Sequence, residues 1–313
     1  MKHKLDLGLA VRAALFYFTL AGVCQSIWAQ GEVPFRIVNN TLIIVALTAN
    51  GEGPFDFVLD TGADTTIVDQ SLAVKLSLPS LSRVQQTTLA GVQTLDRGSI
   101  QILLAGPVKV ENVPVLIQDL SELRKLDSHV DGIAGQNFLS HFNYLLDYRK
   151  RVIQIELGNE IRDAVGGDQI PIESSGNRMF VVSEAQSLER AKLRLLLDSG
   201  TNSIVLLSHA SRTLHVPVRQ IGLEKTISGS VRLEVGRLRM LTIGSEQFHN
   251  IAVALPAAEP AERIGDGLLP TVLFQALYVN NLEHFIVLNP QDRKNQTQPS
   301  DASLMPALQR MHF

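Results

Sequence analysis

The chain has 313 residues, of which 45% are hydrophobic and 19% are charged. This length is enough for roughly two domains, and the composition predicts an ordinary globular protein with a sizeable buried core. The formal net charge is only -3 and no long block of like charge occurs, so we expect no nucleic-acid partner.

The first segment, residues 1–29, is predicted to be a secretory signal peptide. Lys4 and Arg12 precede the apolar run 13–23, and the small residue Ala29 offers a cleavage point. This run is shorter than the roughly 20 apolar residues that a membrane-spanning helix needs. We therefore expect a secreted or periplasmic protein with no stable membrane span after cleavage. The alternative is an uncleaved segment that anchors the same protein to the membrane.

Cys24 is the only cysteine of the chain, and it lies inside this segment. If the segment is cleaved after Ala29, the mature protein contains neither a disulfide nor a cysteine-based zinc site. The eight histidines show no HExxH or comparable ligand spacing, and no P-loop or dinucleotide fingerprint is present. The sequence therefore predicts no metal site and no cofactor.

After this segment, short apolar runs rich in Val, Ile and Leu are separated by Gly, Pro and Asn, a pattern typical of strands. In chain order, the predicted strands include residues 41–47, 55–59, 99–104, 113–117, 152–157 and 285–288. Helices are predicted chiefly at residues 70–76, 136–142, 208–214 and 271–277. The predicted fold class is therefore mainly β.

Two sequence landmarks occur twice in the same order. Residues 57–64 (FVLDTGAD) recur as residues 195–202 (LLLDSGTN), which places the two aspartates 138 positions apart. Residues 131–139 (DGIAGQNFL) recur more weakly as residues 266–274 (DGLLPTVLF), at a displacement of 135 positions. Because the two displacements agree within three residues, they indicate an internal duplication.

The duplication predicts two homologous lobes, residues 33–158 and residues 168–290. Residues 158–167 between them are polar and contain glycine, as expected of a connector. Residues 291–313 are polar and interrupted by proline, so they are predicted to form a loose tail. Each lobe is expected to have a barrel-like β core.

Asp60 and Asp198 are the candidate catalytic residues of the duplicated landmark. Each follows three apolar residues and precedes a hydroxyl residue and a glycine, so each carboxyl is predicted at the end of a buried strand. Burying an ionised carboxyl is costly unless backbone donors or a shared proton stabilise it. The residues expected to support the two turns are Thr61, Gly62, Ser199, Gly200 and Thr201.

If the two lobes pack about a pseudo-twofold axis, the two carboxyls meet at about 3 Å and hold one proton between them. The ionised member can then take a proton from a water that attacks an amide carbonyl, while the protonated member donates to the carbonyl oxygen. The pair predicts peptide-bond hydrolysis without a metal ion. One chain is expected to suffice for the whole site.

The two carboxyls are not expected to be equivalent. Thr201 offers a hydroxyl to Asp198, whereas Ala63 offers none to Asp60. The sequence therefore predicts that Asp198 is the member that stays ionised, and that activity has an acidic to mildly acidic optimum.

The chain resembles the aspartic peptidases, and specifically retropepsin-type domains fused in tandem, as in bacterial retropepsin-like proteins. In that family, apolar residues precede Asp, Thr or Ser, Gly, and then Ala, Ser or Thr, as at residues 60–63 and 198–201. Later in the chain, the family pattern has two apolar residues followed by a glycine, and residues 133–135 match it. The resemblance implies two pepsin-like β-barrel lobes and an aspartic endopeptidase that acts on polypeptides.

The resemblance also implies two hairpin flaps over the cleft. The residues that match the flap tips, and are therefore expected to contact substrate, are Ala90, Gly91, Val92, Ser228, Gly229 and Ser230. Glycine at these tips suits a lid that must open.

Three positions depart from the family pattern. Gln136 stands where retroviral members have an arginine that pairs with the acid matching Asp64, so that ion pair is expected to be absent. Asn202 replaces the second acid, and Pro270 replaces the second glycine. These departures leave an alternative open, namely a non-catalytic peptide-binding protein that retains the fold.

Overall fold

The computed structural model describes residues 31–88, 91–156, 160–226, 229–257 and 265–292. Strands dominate these ranges, so the predicted mainly β fold class is confirmed. Within them, no helix combines the length and the apolar character that crossing a membrane requires. The predicted signal peptide and nearly all of the predicted tail lie outside the described residues.

Strands follow one another along the described chain, with a few short helices between them. The first ten strands are β1 (Glu32–Val38), β2 (Leu42–Ala49), β3 (Glu52–Leu59), β4 (Thr66–Asp69), β5 (Ser82–Thr88), β6 (Gly91–Ala105), β7 (Val108–Gln118), β8 (Val130–Ala134), β9 (Asn143–Asp147) and β10 (Val152–Glu156). The later strands are β11 (Val165–Gly166), β12 (Ile170–Pro171), β13 (Glu173–Ser175), β14 (Arg178–Gln186), β15 (Arg190–Asp198), β16 (Ile204–Leu206), β17 (Val218–Thr226), β18 (Gly229–Ile243), β19 (Glu246–Pro256), β20 (Gly267–Pro270), β21 (Ala276–Asn280), β22 (Phe285–Leu288) and β23 (Gln291–Asp292). The helices are α1 (Gln70–Lys75), α2 (Ser121–Arg124), α3 (Gln136–Leu139), α4 (Glu160–Ala164) and α5 (Ser208–Thr213), and a 3-10 turn spans Thr271–Leu273.

One predicted helix is wrong over most of its length. Of residues 271–277, only the first three form a 3-10 turn, and Ala276 already belongs to β21. The reason is tertiary, because β21 pairs with β9 on one side and with β22 on the other. The predicted helix 136–142 also ends early, since α3 stops at Leu139.

The predicted connector and the start of the predicted tail are more regular than expected. α4 and β11 lie inside residues 158–167, and β23 contains the first two residues of the predicted tail. β11 and β23 pair antiparallel, with Val165 opposite Asp292. The two segments therefore satisfy part of each other's backbone hydrogen bonding.

One scheme of strand pairing occurs twice. β3 runs parallel to β8, while β4 is antiparallel to β8 and parallel to β7. β15, β20, β16 and β19 repeat these relations in the same order. Each parallel pair ends at an aspartate motif, with Leu59 opposite Ala134 and Asp198 opposite Pro270.

The strands that lead to the two aspartates are buried. Residues 57–59 at the end of β3 and residues 195–197 at the end of β15 are all at most 3% exposed. Strands covered on both faces carry continuous apolar runs instead of alternation. This explains why three apolar residues precede each aspartate.

Antiparallel strands join the stretches of chain that follow the two landmark sequences. The order of strands in this part of the larger sheet is β22, β21, β9, β10 and β1. β21 pairs with β9 through Leu277 opposite Leu146, both of which are fully buried. A continuous backbone ladder therefore links chain segments that are distant in sequence.

Candidate active site

Asp60 lies where β3 ends and the chain turns. Its backbone N–H donates to the carbonyl of Ala134 at 3.0 Å, which continues the parallel pairing of β3 with β8 by one residue. Its carboxyl oxygen Oδ1 accepts the N–H groups of Gly62 at 2.8 Å and Ala63 at 3.2 Å. The turn therefore surrounds one carboxyl oxygen with backbone donors.

Asp198 occupies the matching place at the end of β15. It lies opposite Pro270 in the parallel register with β20, and its Oδ1 accepts the N–H of Gly200 at 2.7 Å. Both aspartates are half-buried, so their carboxyls keep some contact with solvent. A solvent molecule can therefore reach them.

The two turns face each other closely. A Cβ atom placed on Gly62 would lie 2.7 Å from Cγ of Asp198, and one placed on Gly200 would lie 3.0 Å from Cγ of Asp60. Real Cβ atoms essentially never approach another atom below 3.0 Å. Only glycine therefore fits the close approach at position 62, whereas a Cβ at position 200 would be tighter than nine in ten real Cβ contacts and its neighbour would have to shift slightly.

Two buried hydroxyl groups cross-link the turns. The Thr61 hydroxyl donates to the carbonyl of Leu197 at 2.9 Å, and the Ser199 hydroxyl donates to the carbonyl of Leu59 at 2.8 Å. Each hydroxyl oxygen also accepts the backbone N–H of the other residue, at 2.9 and 3.0 Å. Thr61 and Ser199 thus hold the opposite strand end, whereas the sequence suggested only support of the turns.

One proton is expected to be held between the two carboxyls. Burial raises the pKa of Asp60 above its usual 3.8, and the N–H groups of Gly62 and Ala63 offset part of this increase. Burial raises the pKa of Asp198 further, and the negative charge of Asp60 adds to that increase. The pKa of Asp198 is therefore raised more than that of Asp60, a direction that favours the charge on Asp60 and the proton on Asp198.

This direction is opposite to the prediction that Asp198 stays ionised. The hydroxyl of Thr201 donates to the carbonyl of Ser203 at 3.3 Å instead of to the aspartate. The backbone N–H groups of Gly62 and Ala63 lower the pKa of Asp60, and those of Gly200 and Thr201 lower the pKa of Asp198, so each turn supplies two backbone donors. The larger rise in the pKa of Asp198 comes from burial and from the negative charge of Asp60, which a comparison of the neighbouring side chains in sequence does not reveal.

A protein-family model described as "Aspartyl protease" matches residues 45–138. This part of the chain is similar to aspartyl proteases. It contains Asp60 with its turn and the landmark that ends at α3. The resemblance stated from the sequence is confirmed for this range and stays a prediction for the later residues. The search of curated proteins found no match to the chain.

The aspartyl-protease-like segment has an ion pair that the sequence did not predict. Arg178 Nη2 lies 2.8 Å from Asp64 Oδ2, and Asn177 Nδ2 donates to the carbonyl of Asp64 at 3.1 Å. Gln136 indeed forms no such pair, but an arginine distant in sequence does. Only the fold brings the β13–β14 hairpin to this turn, so no local pattern could have identified Arg178.

Gln136 has a contact of its own with the Asp60 turn. Its side-chain amide Nε2 donates to the carbonyl of Thr61 at 3.2 Å, and its backbone N–H donates to the carbonyl of Ala63 at 2.8 Å. At the matching position of the second landmark, the Thr271 hydroxyl pairs with the hydroxyl of Tyr148 at 2.5 Å. The sequence marked Gln136 only as a departure.

The residues predicted as flap tips are described in part. Ala90 and Ser228 lie outside the described residues. Gly91 and Val92 begin β6, and Gly229 and Ser230 begin β18, each in an antiparallel hairpin with the preceding strand. Two hairpins therefore exist where flaps were predicted, and their role in substrate binding stays a prediction.

Proposed function

We propose that this protein is an exported aspartic endopeptidase that hydrolyses peptide bonds with a water activated by Asp60 and Asp198. The observation that carries the proposal is the mutual approach of the two turns, in which each turn glycine faces the opposite carboxyl. Two adjacent acids that share a proton can serve as base and acid in one step. The match of residues 45–138 to aspartyl proteases supports the same reaction class.

In the first step, the Asp60 carboxylate takes a proton from water as the water oxygen bonds to the carbonyl carbon of the substrate. Asp198 donates its proton to the carbonyl oxygen, which yields a neutral tetrahedral diol. In the second step, Asp60 returns its proton to the amide nitrogen as the carbon–nitrogen bond breaks. Asp198 takes a proton back from a diol hydroxyl, so the pair regains its starting state.

We place the substrate between two homologous lobes, residues 33–158 and 168–290, related by a pseudo-twofold axis. The repeated strand pairing that ends at Asp60 and at Asp198 supports this arrangement. The β5–β6 and β17–β18 hairpins would form the flaps, with residues 90–92 and 228–230 over an extended polypeptide. A single chain supplies both halves of this site.

Export depends on residues 1–29, which the proposal treats as a cleaved signal peptide. Expression of the full chain with fractionation of the cells, followed by N-terminal sequencing of the exported protein, tests this part. A mature N-terminus at residue 30 is expected. A full-length protein in the membrane fraction would instead support the anchored alternative.

Peptidase activity is tested with the chain from residue 30 onwards and a mixed library of unstructured peptides at several pH values. We expect cleavage that a pepstatin-like inhibitor blocks, and a kcat about 10³-fold lower in Asp60→Asn and Asp198→Asn. Asp168→Asn changes an exposed acid and should cleave normally. Full activity in Asp60→Asn would refute the mechanism.

The pH dependence of cleavage is a second readout. Because burial raises the pKa of both aspartates above 3.8, the singly protonated pair persists from acidic pH towards neutrality. An acidic to mildly acidic optimum is expected, and a maximum above about pH 8 would contradict it. Peptide binding without cleavage at any pH would favour the non-catalytic alternative.

A further inference from the structure

Gln136 is fully buried directly behind the Asp60 turn. It is the first residue of α3, and it has no exposed surface. Its backbone and side chain donate to two carbonyls of the turn, those of Ala63 and Thr61. A long polar side chain is costly to bury, so its placement here needs a reason beyond packing.

The carbonyl of Thr61 and the N–H of Gly62 belong to the same peptide group. Gln136 Nε2 donates to that carbonyl at 3.2 Å, and the Gly62 N–H donates to Asp60 Oδ1 at 2.8 Å. A donor on the carbonyl side of a peptide polarises the group and strengthens its N–H as a donor. The side chain of Gln136 therefore acts on the Asp60 carboxyl through one peptide plane.

The second turn has a different residue in this place. The matching residue is Thr271, whose hydroxyl pairs with Tyr148 at 2.5 Å. Its short side chain replaces the long amide, and its hydroxyl pairs with a tyrosine rather than with a turn carbonyl. The two turns therefore share the glycine N–H bond to the aspartate carboxyl but differ in what lies behind them.

We propose that Gln136 is a positioning residue that keeps the negative charge of the aspartate pair on Asp60. The assignment rests on the proposed function, because the location of the charge matters for the choice of base and acid. It gives the two turns, alike in sequence, different support for their carboxylates, because the side-chain amide donates behind the Asp60 turn. It also gives a role to a residue that departs from the retroviral pattern.

The ionisable groups around this turn come from several elements. Asp198 faces Asp60 from the opposite turn, and the Asp64–Arg178 ion pair lies beyond the Asp60 turn. The Tyr144 hydroxyl interacts with the side chain of Gln136, and the Tyr148 hydroxyl pairs with that of Thr271. Burial raises the pKa of both tyrosine hydroxyls above 10.0, so both stay neutral. The two aspartates are therefore the groups whose charges Gln136 can redistribute.

The test replaces Gln136 with methionine, which has a similar volume but no donor. The acid limb of the pH profile of kcat/KM should move upward by roughly 0.5 to 1 pH unit, because Asp60 loses support for its charge. The basic limb should move less. Gln154→Met removes an amide that pairs with Glu32 at 2.9 Å elsewhere, and its acid limb should match that of the parent.

Thermal unfolding across the same pH range is a readout that needs no peptidase activity. A higher folded-state pKa of Asp60 means that more stability is lost in total as pH rises from the unfolded-state pKa through the folded-state pKa. The melting-temperature difference between Gln136→Met and the parent should therefore grow as pH rises. In an Asp60→Asn background, this growth should disappear.

Gln136→Asn keeps a polar amide but is one methylene shorter, so its amide should no longer reach the carbonyl of Thr61. This variant tests the role of Gln136 if the methionine variant does not fold. It should shift the profile in the same direction. Superimposable profiles and parallel melting curves in a folded variant would overturn the assignment. If the parent cleaves no peptide, the proposed function fails, and the melting curves still decide the role of Gln136.

Discussion

The Asp60 turn and the Asp198 turn have the same backbone design but different surroundings. In the first, the backbone N–H and the hydroxyl of Thr66 both donate to Asn137 Oδ1, at 2.7 and 2.8 Å, and Asn137 Nδ2 donates to the carbonyl of Pro114. In the second, the matching residues are Ile204, which is buried, and Val272. These two positions therefore form polar bonds behind the first turn, whereas the matching positions behind the second turn are apolar.

This difference teaches that a duplicated motif does not specify its charge state. The motif residues determine the turn, the glycine contacts and the hydroxyl cross-links, which are nearly symmetrical. In the proposal for Gln136, the residues behind the turn determine which carboxyl is better supported as an anion. Two sites with one local sequence can therefore acquire the roles of base and acid through their neighbours.

The glycines of the two turns offer the strongest way to break the near-symmetry. Gly62→Ala places a methyl 2.7 Å from Asp198 Cγ and should lower kcat/KM by about 10²-fold or more, because small displacements of reacting groups are costly. Gly200→Ala places its methyl at 3.0 Å from Asp60 and should cost less. Peptide cleavage by folded variants measures both, and equal losses would contradict the ranking.

Loss of the hydroxyl cross-links between the two turns should have the next largest effect. Ser199→Ala leaves the buried N–H of Thr61 and the carbonyl of Leu59 without their partners, which should lower the free energy of unfolding by about 2–4 kcal/mol. Thr61→Val should cost a similar amount, because its two bonds mirror those of Ser199. Urea unfolding measures both variants. A loss below about 0.5 kcal/mol in either would mean that its cross-links contribute little.

Removing one carboxyl should change the pH dependence of stability. The folded-state pKa of Asp198 lies well above 3.8, so the stability it contributes is full below that pH and is lost as pH rises through the folded-state pKa. Asp198→Asn removes this loss, and its melting temperature should exceed that of the parent at about pH 7 but hardly at about pH 3.

The matched variant Asp60→Asn sharpens this comparison. Its gain in melting temperature near neutral pH should be smaller than that of Asp198→Asn. The reason is that Asp60→Asn removes a carboxylate that accepts the N–H groups of Gly62 and Ala63. Asp168→Asn, at an exposed acid, should show no gain that depends on pH. A larger gain for Asp60→Asn than for Asp198→Asn would reverse our assignment of the charge.

The smallest expected effect concerns the Arg178–Asp64 ion pair. Its side chains are 23% and 38% exposed, so solvent screens the attraction, and Arg178→Met should cost no more than about 1 kcal/mol. Arg149→Met, at an exposed arginine, is the control. Urea unfolding at low and high salt checks both, and a loss above about 2 kcal/mol would show that the contact does more than pair surface charges.

Most strands and two of the helices could be predicted from sequence because their signals are local. The predicted strand 285–288 coincides with β22, and the predicted helix 70–76 contains α1. The wrong helix at residues 271–277 is a short apolar run, a pattern that does not distinguish a strand from a helix. Its pairing with β9 and β22, which no local pattern contains, made it a strand.

By itself, the sequence determined where the two aspartate turns lie, because apolar runs, acids and glycines act on the nearest few residues. Only the tertiary structure decided what surrounds those turns. Arg178 meets Asp64 across the fold, and Thr61 and Ser199 exchange hydrogen bonds between distant strands. The pKa difference between the two carboxyls also depends on the tertiary structure, because desolvation and hydrogen bonding involve neighbours that are far away along the chain.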